Sequence, residues 1–273
     1  MNLASRFAPV LLVALGAVLM TVAGCKDDET PTNGGGGGTT VVPITDDVFP
    51  LTVGRSYTYA GYSTDADSGY RLPDPGGVYR SKWTIATNSA LSPLDGQPIS
   101  AIVDSTTGPY APGGGAFTVA RTLLIRKDSV GDYHFVQTIG PFKRRVGLPT
   151  GTTAADTLIS VAIVRPTQGV GGTGAQWTAY DQTFTSGGAQ IRLQIFGKIE
   201  ETIAVADSAS PPVTRTAYRA RTWRRVSVNG TPTGPDATTA EFWLVKDIGP
   251  VQMRIVEDGE NFGHFRTMRS KNF

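Results

Sequence analysis

The feature that most constrains the fold of this chain is the spacing of its apolar residues beyond residue 45. There, apolar and polar side chains alternate over many short stretches, which is the pattern of a β-strand with one buried face. No window of a dozen residues shows the 3.6-residue period of an amphipathic helix. Because glycine (33) and proline (18) are frequent and supply turns between strands, the pattern predicts an all-β domain.

Each alternating stretch is predicted to form one strand, which gives about ten antiparallel strands joined by turns. Gly197 is predicted to mark a bulge or bend, and 128–132 is predicted to be a hairpin connection. Such a sheet can form a barrel, a half-barrel or a sandwich, and the sequence leaves these three open. The predicted strands occupy 56–59, 78–86, 99–104, 116–127, 133–139, 157–164, 176–184, 191–195, 213–228, 249–257 and 265–269.

The N-terminal residues have a different composition. Arg6 is the only charged residue before Lys26, the run 7–20 is almost wholly apolar, and the small residue Gly24 precedes Cys25, the only cysteine of the chain. A basic start, an apolar core and a small-residue exit are typical of a secretion signal. The alternative is a membrane-spanning helix, since an apolar run of about 20 residues crosses a bilayer. The small residues beside the sole cysteine favour cleavage.

The segment Val22-Ala23-Gly24-Cys25 resembles the lipobox of bacterial lipoproteins. The resemblance implies cleavage after Gly24, and a diacylglyceryl group with an N-linked acyl chain, such as palmitate, on Cys25. Two or more acyl chains anchor a protein stably, because each buried methylene contributes about 0.8 kcal/mol. The following Lys26-Asp27-Asp28-Glu29 is similar to the surface-export signal of Bacteroidetes lipoproteins. This implies exposure on the outer face of the outer membrane, and a charged linker is the alternative.

The two ends of the predicted domain resemble a family of bacterial envelope lipoproteins. The opening 49–59 follows an FPL-x-x-G-x-x-W/Y-x-Y pattern, and 242–251 is similar to their closing turn. It departs from that turn by Asp247, where glycine is common, and by Gln252, where lysine is common. We divide the chain into a signal peptide (1–24), a lipidated cysteine with a glycine-rich tether (25–45) and one antiparallel β domain (46–273).

The charge of the mature chain argues against nucleic acid as a partner. From Cys25 onward it carries 24 Lys and Arg (25 minus Arg6) against 23 Asp and Glu, a net charge of +1. This balance provides no long-range field that recruits nucleic acid. The expected partner is the membrane, through the lipid on Cys25. Because no cysteine remains for a disulfide, the fold has to rest on its apolar core.

The sequence contains no pattern typical of a catalytic or metal centre. His134 and His264 have no neighbouring ligand residues, whereas a zinc site needs several His or Cys at set spacing. Asp65 and Asp67 offer only part of a calcium loop and are interpreted as a turn. The glycine run 34–38 lacks the Lys-Ser or Lys-Thr of a phosphate-binding loop. We expect no cofactor, no metal and no enzymatic activity, although a Ser-His-Asp triad of distant residues stays open.

A stripe of basic residues is the first candidate binding site. Arg215, Arg219 and Arg221 form the predicted anion patch, for an anionic glycan, a phosphate or a lipid headgroup. A second basic cluster lies at 143–145. The alternative is the solvated face of a strand, with the arginines paired to the carboxylates of Glu200, Glu201 and Asp207.

The second candidate is an aromatic ligand pocket. Aromatic side chains are also the ordinary content of a β core, so the pocket requires a sheet that curls around a cavity. The residues predicted to line it are Tyr57, Tyr59, Trp83, Trp177, Tyr180, Trp223 and Trp243.

These observations lead to three functional hypotheses. The first is a non-enzymatic, lipid-anchored envelope protein that acts as a binding or scaffold module at the outer membrane, with a glycan or an envelope protein as its partner. The second is a curved-sheet carrier of a lipophilic ligand, which rests on fold-level analogy, and the third is a secreted hydrolase. A filled core would favour the module, a large apolar cavity the carrier, and converging carboxylates or a histidine pair the hydrolase.

Overall fold

The computed structural model describes residues 43–65, 71, 79–108, 117–138, 158–170, 176–186, 188–206, 211–256 and 262–273. Within them the chain is all-β, with thirteen antiparallel strands in one sheet and a single 3-10 turn at Pro166–Gln168. The predicted fold class is confirmed. In this part of the chain no helix is long and apolar enough to cross a membrane. The predictions for Gly24, Cys25, most of the tether, Asp67 and the cluster 143–145 lie outside the described residues.

Sequential hairpins build most of the sheet. The strand order is β6-β5-β4-β3-β2-β1-β13-β12-β11-β9-β8-β7, with β10 beside β9. The first and last strands pair with each other, so the two ends of the domain meet in the middle of the sheet. The strands are β1 Ser56–Asp65, β2 Tyr79–Leu91, β3 Pro98–Gly108, β4 Phe117–Lys127, β5 Tyr133–Thr138, β6 Leu158–Val164, β7 Trp177–Ser186, β8 Ala189–Ala206, β9 Thr214–Val228, β10 Thr231–Pro232, β11 Ala237–Val245, β12 Gly249–Val256 and β13 Phe262–Lys271.

The sheet curls into a nearly closed barrel, whose seam lies between β6 and β7. Across this seam the indole Nε1 of Trp177 donates a hydrogen bond to the carbonyl oxygen of Ala162, at 2.8 Å. Trp177 lies directly against Gly197 of β8, where a Cβ would be 2.3 Å from the indole Cε2. The glycine is needed for this close packing. The register shifts close to the bulge or bend predicted at Gly197, although not at the glycine itself: the β7–β8 pairing shifts between Thr178 and Tyr180, opposite Phe196 and Ile195, and the β8–β9 pairing shifts between Ile199 and Glu201.

Part of the segment that precedes β1 lies inside the barrel. Val48 and Phe49 are buried, and the Phe49 ring lies 5.9 Å from Tyr133 on β5 and 6.5 Å from Phe242 on β11. These strands belong to distant parts of the sheet, so the Phe49 side chain joins opposite walls. Ile44 is also buried, and its N–H donates to the carbonyl of Pro166 at 2.9 Å. The packed domain therefore includes residues before the predicted boundary at residue 46.

The turns follow their sequence signals. In the predicted hairpin connection 128–132, the Asp128 carboxylate accepts from the N–H groups of Val130 at 3.0 Å and Asp132 at 2.9 Å. Gly131 has a φ of 96°, which glycine adopts at little cost. Asp247, at the closing turn, has a φ of 58°, in the left-handed region that favours glycine but tolerates aspartate.

Candidate functional site

Three of the predicted pocket aromatics meet inside the barrel. The rings of Tyr57 and Tyr59 are 6.2 Å apart, and those of Tyr59 and Trp83 are 5.8 Å apart, with each residue at most 1% exposed. Tyr57 and Tyr59 are two residues apart on β1, and Trp83 is paired with Tyr57 on β2. All three side chains therefore point to the inward face, as the period of two in a strand requires. The Phe49 ring lies against this group, 6.4 Å from Trp83. The chain's own aromatic side chain therefore occupies the space that these residues border.

Burial also governs the tyrosine hydroxyls of this group. Burial raises the pKa of Tyr57 to about 12 and holds the pKa of Tyr59 well above its usual value. The Tyr59 hydroxyl donates to the carbonyl of Pro250 at 2.9 Å. Both hydroxyls stay protonated at neutral pH, and that of Tyr59 serves as a hydrogen-bond donor.

The structure separates the remaining aromatics from this group. Trp177 is buried at the seam, and Tyr180 is half-buried near it, with its pKa raised to about 12 by burial and by the charge of Asp181. Trp223 and Trp243 lie on the outer face of the sheet, because their strand neighbours Thr222 and Phe242 are the buried ones. The seven residues are thus distributed over both faces.

A buried ion cluster also lies inside the barrel. Asp104 on β3 and Arg266 on β13 are each fully buried, and Arg266 Nη1 lies 3.3 Å from both Asp104 carboxylate oxygens. Hydroxyl groups of Thr106 and Ser81 donate to Asp104 Oδ1 at 2.6 and 2.9 Å, and Arg121 Nε donates to Oδ2 at 3.1 Å. Sequence reasoning missed this cluster, although Asp104 holds an inward position two residues after the buried Ile102.

The cluster keeps Asp104 ionised and its neighbouring histidine neutral. Burial by itself raises the pKa of Asp104, but the guanidinium groups of Arg266 and Arg121 and the two hydroxyls more than offset it and lower that pKa. His264 is stacked on Tyr79 at 5.3 Å, and burial, together with the two arginines, holds its pKa well below the usual value. Because the Asp104 oxygens already accept several hydrogen bonds, this carboxylate stabilises charge rather than acting as a general base.

The outer face of the same sheet carries a second group, which we name the aromatic–arginine belt. Most of its side chains are half-exposed, and Phe196 and Glu241 are buried. Cross-strand pairing aligns Tyr62 with Phe265, Phe265 with Arg254, Arg254 with Glu241, and Glu241 with Arg221. One row of outward side chains therefore crosses β1, β13, β12, β11 and β9. The belt consists of the aromatic residues Tyr62, Phe196, Trp223, Trp243 and Phe265 and of the charged residues Arg219, Arg221, Arg254, Glu200, Glu201 and Glu241.

The belt aromatics form two contiguous groups. On one side, Phe265 lies 5.4 Å from Tyr62 and 5.6 Å from Trp243. On the other, Trp223 lies 6.0 Å from Phe196. Guanidinium groups lie over the indoles of both groups, with Arg219 5.6 Å from Trp243 and Arg221 5.7 Å from Trp223. The two aromatic groups are therefore connected by arginines, at cation–π distances.

The belt arginines are paired with carboxylates. Arg219 contacts Glu241 at 2.8 Å, Glu201 at 3.0 Å and Glu200 at 3.6 Å, and Arg221 contacts Glu200 at 3.5 Å. Burial by itself lowers the pKa of Arg219. The carboxylates of Glu241 and Glu201 raise this pKa by more than burial lowers it, so the pKa of Arg219 is raised overall.

The predicted anion patch is thus only partly brought together. Arg219 and Arg221 share Glu200, whereas Arg215 lies farther along β9, opposite Val205. The alternative pairing with Glu200 and Glu201 is the one that the structure shows for Arg219, and Asp207 lies outside the described residues. An anion at Arg219 or Arg221 would have to compete with these carboxylates.

The two histidines lie in different places. His134 Nε2 is 3.0 Å from the Asp128 carboxylate, in the β4–β5 hairpin, while His264 is buried in the ion cluster. Among the described residues, no group of three or more His, Cys, Asp or Glu side chains is arranged to hold a metal ion.

Comparison with known proteins does not assign the chain to a family. No protein-family model matches it, and no curated protein matches it.

Two solved structures show a weak structural similarity to this chain. An exported protein with a YmcC-like fold from Bacteroides fragilis has 11% identity and a TM-score of 0.34, with 84% of this chain and 100% of that chain covered. A lipoprotein from Parabacteroides distasonis has 12% identity and a TM-score of 0.35, with 83% and 99% covered. Similarity at this level carries no argument about function.

Proposed function

We propose that this chain is a lipid-anchored, non-enzymatic binding module of the bacterial outer membrane, exposed at the cell surface. The anchor is supported by the lipobox-like Val22-Ala23-Gly24-Cys25, and the surface location by the charged segment that follows it. The glycine run 34–38 is suited to a flexible tether between a lipid and a folded domain.

The observation that carries the binding mode is the position of Phe49. Its ring packs against Trp83, Tyr133 and Phe242 inside the barrel. The protein's own aromatic ring therefore lies among the residues that a lipophilic ligand would contact, which supports a binding module over a carrier. Recognition then takes place on the outside of the sheet, where most of the aromatic and charged side chains of the belt are half-exposed. Exposed aromatic and arginine side chains are the residue types that most often dominate binding surfaces.

The anchor is tested on the full chain in a bacterial host that has an outer membrane. Metabolic labelling with an alkyne analogue of palmitate should label the wild type and not a Cys25→Ala variant. External protease should then degrade the protein on intact cells if the folded domain faces outward. Protection until the outer membrane is permeabilised would place it on the periplasmic side and contradict surface exposure.

The binding mode is tested by native mass spectrometry of the Cys25→Ser protein, purified without detergent. A module with a filled core should give the mass of the polypeptide alone. A co-purifying lipid that disappears on denaturation would contradict the module and favour the carrier. A Phe49→Trp variant, which adds bulk to the interior, sharpens the result, because it should displace a lipid from a carrier, whereas a module should give the polypeptide mass alone with either residue.

A further inference from the structure

We infer that the aromatic–arginine belt binds a neutral polysaccharide chain; this rests on the proposed function and names its ligand class. The inference starts from the shape of the belt. The row from Tyr62 through Phe265, Arg254, Glu241 and Arg221 continues to Lys198 on β8. Neighbouring strands are about 4.8 Å apart, so a row over six strands is about 24 Å long. A site of this length suits an extended chain better than a single small molecule.

The charges of the belt favour a ligand without net charge. Arg219, Arg221 and Arg254 are balanced by Glu200, Glu201 and Glu241, and each arginine contacts at least one of these carboxylates. Lys198, at the end of the row, is the one positive charge that is not balanced by these three carboxylates. A polyanion would have to displace the carboxylates from their arginines, and a polycation would have to displace the arginines. Sugar hydroxyls satisfy both groups, since they donate to carboxylates and accept from guanidinium groups.

The aromatic residues supply the apolar part of the same recognition. The ring planes of Trp243 and Phe265 meet at 74°, so one ring presents its edge to the face of the other. This arrangement forms a corner of half-exposed apolar surface beside the charged residues. The C–H faces of pyranose rings are apolar, so they can lie against such surface while their hydroxyls reach the charged side chains.

The same charges make a protein partner less suited to the belt. A dry protein interface excludes water from its centre and is depleted of charged residues there. Here the side chains of Arg219, Arg221, Glu200 and Glu201 are 25–46% exposed, and the desolvation of such charges would cost several kcal/mol per ion. A hydroxylated chain avoids this cost, because its hydroxyls replace water molecules at the charged groups and leave the rest of the surface wet.

The test is affinity electrophoresis of the Cys25→Ser protein in native gels. The gels contain one of four neutral polysaccharides (dextran, amylopectin, glucomannan or xyloglucan) or one of two anionic ones (polygalacturonate or heparin). We expect at least one neutral polysaccharide to retard the protein and neither anionic one to do so. Retardation by none of the neutral polysaccharides, or by the anionic ones alone, would overturn the inference.

Variants locate the site. Trp243→Ala and Phe265→Ala should each weaken retardation about tenfold, as expected for the loss of one aromatic contact. Trp243→Phe should restore part of it. Phe273→Ala is the matched control, because Phe273 is an exposed aromatic outside the belt, 5.3 Å from Tyr57, and this variant should bind as the wild type does. Thermal unfolding of each variant shows that the fold is retained.

The outcomes separate this inference from the proposed function. Retardation that Trp243→Ala and Phe265→Ala leave unchanged would place the glycan elsewhere and overturn the assignment to the belt. A clean polypeptide mass together with no retardation would remove the glycan inference and leave the binding module standing. A co-purifying lipid would remove the module itself.

Discussion

Two groups of arginines and carboxylates lie on opposite faces of one sheet and differ mainly in their exposure. Inside, Asp104 and Arg266 are both 0% exposed, and hydroxyls and a second arginine surround the carboxylate. Outside, Arg219 is 31% exposed and Glu201 46% exposed, although Arg254 and Glu241 of the same group are only 11% and 8% exposed. The inner pair has lost its water, whereas the outer pair keeps much of it.

The comparison shows that the same residue types have different roles on the two faces of the sheet. A buried ion pair is costly to form and still more costly to break, so it fixes one arrangement of the strands that carry it. Asp104 and Arg266 join β3 to β13, which are separated by β2 and β1 in the sheet. A half-exposed pair contributes little to stability and remains available to a ligand. Stability should thus depend on the inner group and binding on the outer one.

Removal of the inner carboxylate should have the largest effect. Asp104→Ala takes away the group that accepts from Arg266, Arg121, Ser81 and Thr106. We expect the free energy of unfolding to fall by about 3–5 kcal/mol, as measured by urea denaturation at neutral pH. Asp181→Ala is the control, since Asp181 accepts from Arg192 on the outer face, and it should cost far less. Equal losses in the two variants would contradict the comparison.

The seam of the barrel is the second place where the inside is vulnerable. Trp177→Phe keeps an aromatic ring against Gly197 but removes the N–H that donates to Ala162. Because the Ala162 carbonyl then loses a partner in the interior, we expect a loss of about 1–3 kcal/mol in urea denaturation. Trp223→Phe, the same substitution on the outer face, should cost less. If Trp223→Phe were the more damaging of the two, the indole hydrogen bond would not be what holds the seam.

The sequence predicted the fold class because alternation is a local property. It underestimated the length of strands where alternation is interrupted. β8 is 18 residues long, but Gly197 and the adjacent Glu200 and Glu201 break its period, so only 191–195 was predicted as strand. A glycine is required at position 197 because the Trp177 side chain, on another strand, packs directly against it. The residues around position 197 carry no sign of this contact.

The candidate sites were harder to predict because the period does not say which face is inside. Phe242 is buried and Trp243 is half-exposed, yet both are large aromatics on one strand. Likewise, the partner of Arg219 on β11 is Glu241, which only the strand order brings close. Asp104 could have been found as a charged residue at an inward position, once the alternation of β3 had been used to assign its faces.

The inner group should also respond to pH in a way that the outer face does not. The pKa of His264 in the folded protein is lowered, chiefly by burial, so the unfolded chain binds a proton more readily. Stability is then full above the unfolded pKa of about 6.5 and falls as pH decreases below it. The lowered pKa of Asp104 adds a second loss below about pH 4, because protonation removes its charge.

His264→Leu should remove the first of these losses. Urea denaturation at intervals between pH 7 and pH 4.5 should show a falling free energy of unfolding for the wild type and a flatter profile for the variant, even if the variant is less stable throughout. Both proteins should lose stability below about pH 4 through Asp104. A variant profile as steep as the wild-type profile would mean that His264 does not carry the dependence.

The smallest effect is expected for an ion pair on the outer face. Arg225 donates to Asp236 through Nε at 2.9 Å and through Nη2 at 2.7 Å, and the two side chains are 43% and 32% exposed. Despite this two-point contact, water screens the pair, so a double-mutant cycle with Arg225→Ala and Asp236→Ala should give a coupling of about 0.2–1 kcal/mol. The coupling should shrink in 1 M sodium chloride, where charges are screened over about 3 Å. A coupling of several kcal/mol that salt does not reduce would mean that the outer face stabilises the fold as the inner cluster does, and exposure would then not be what distinguishes the two groups.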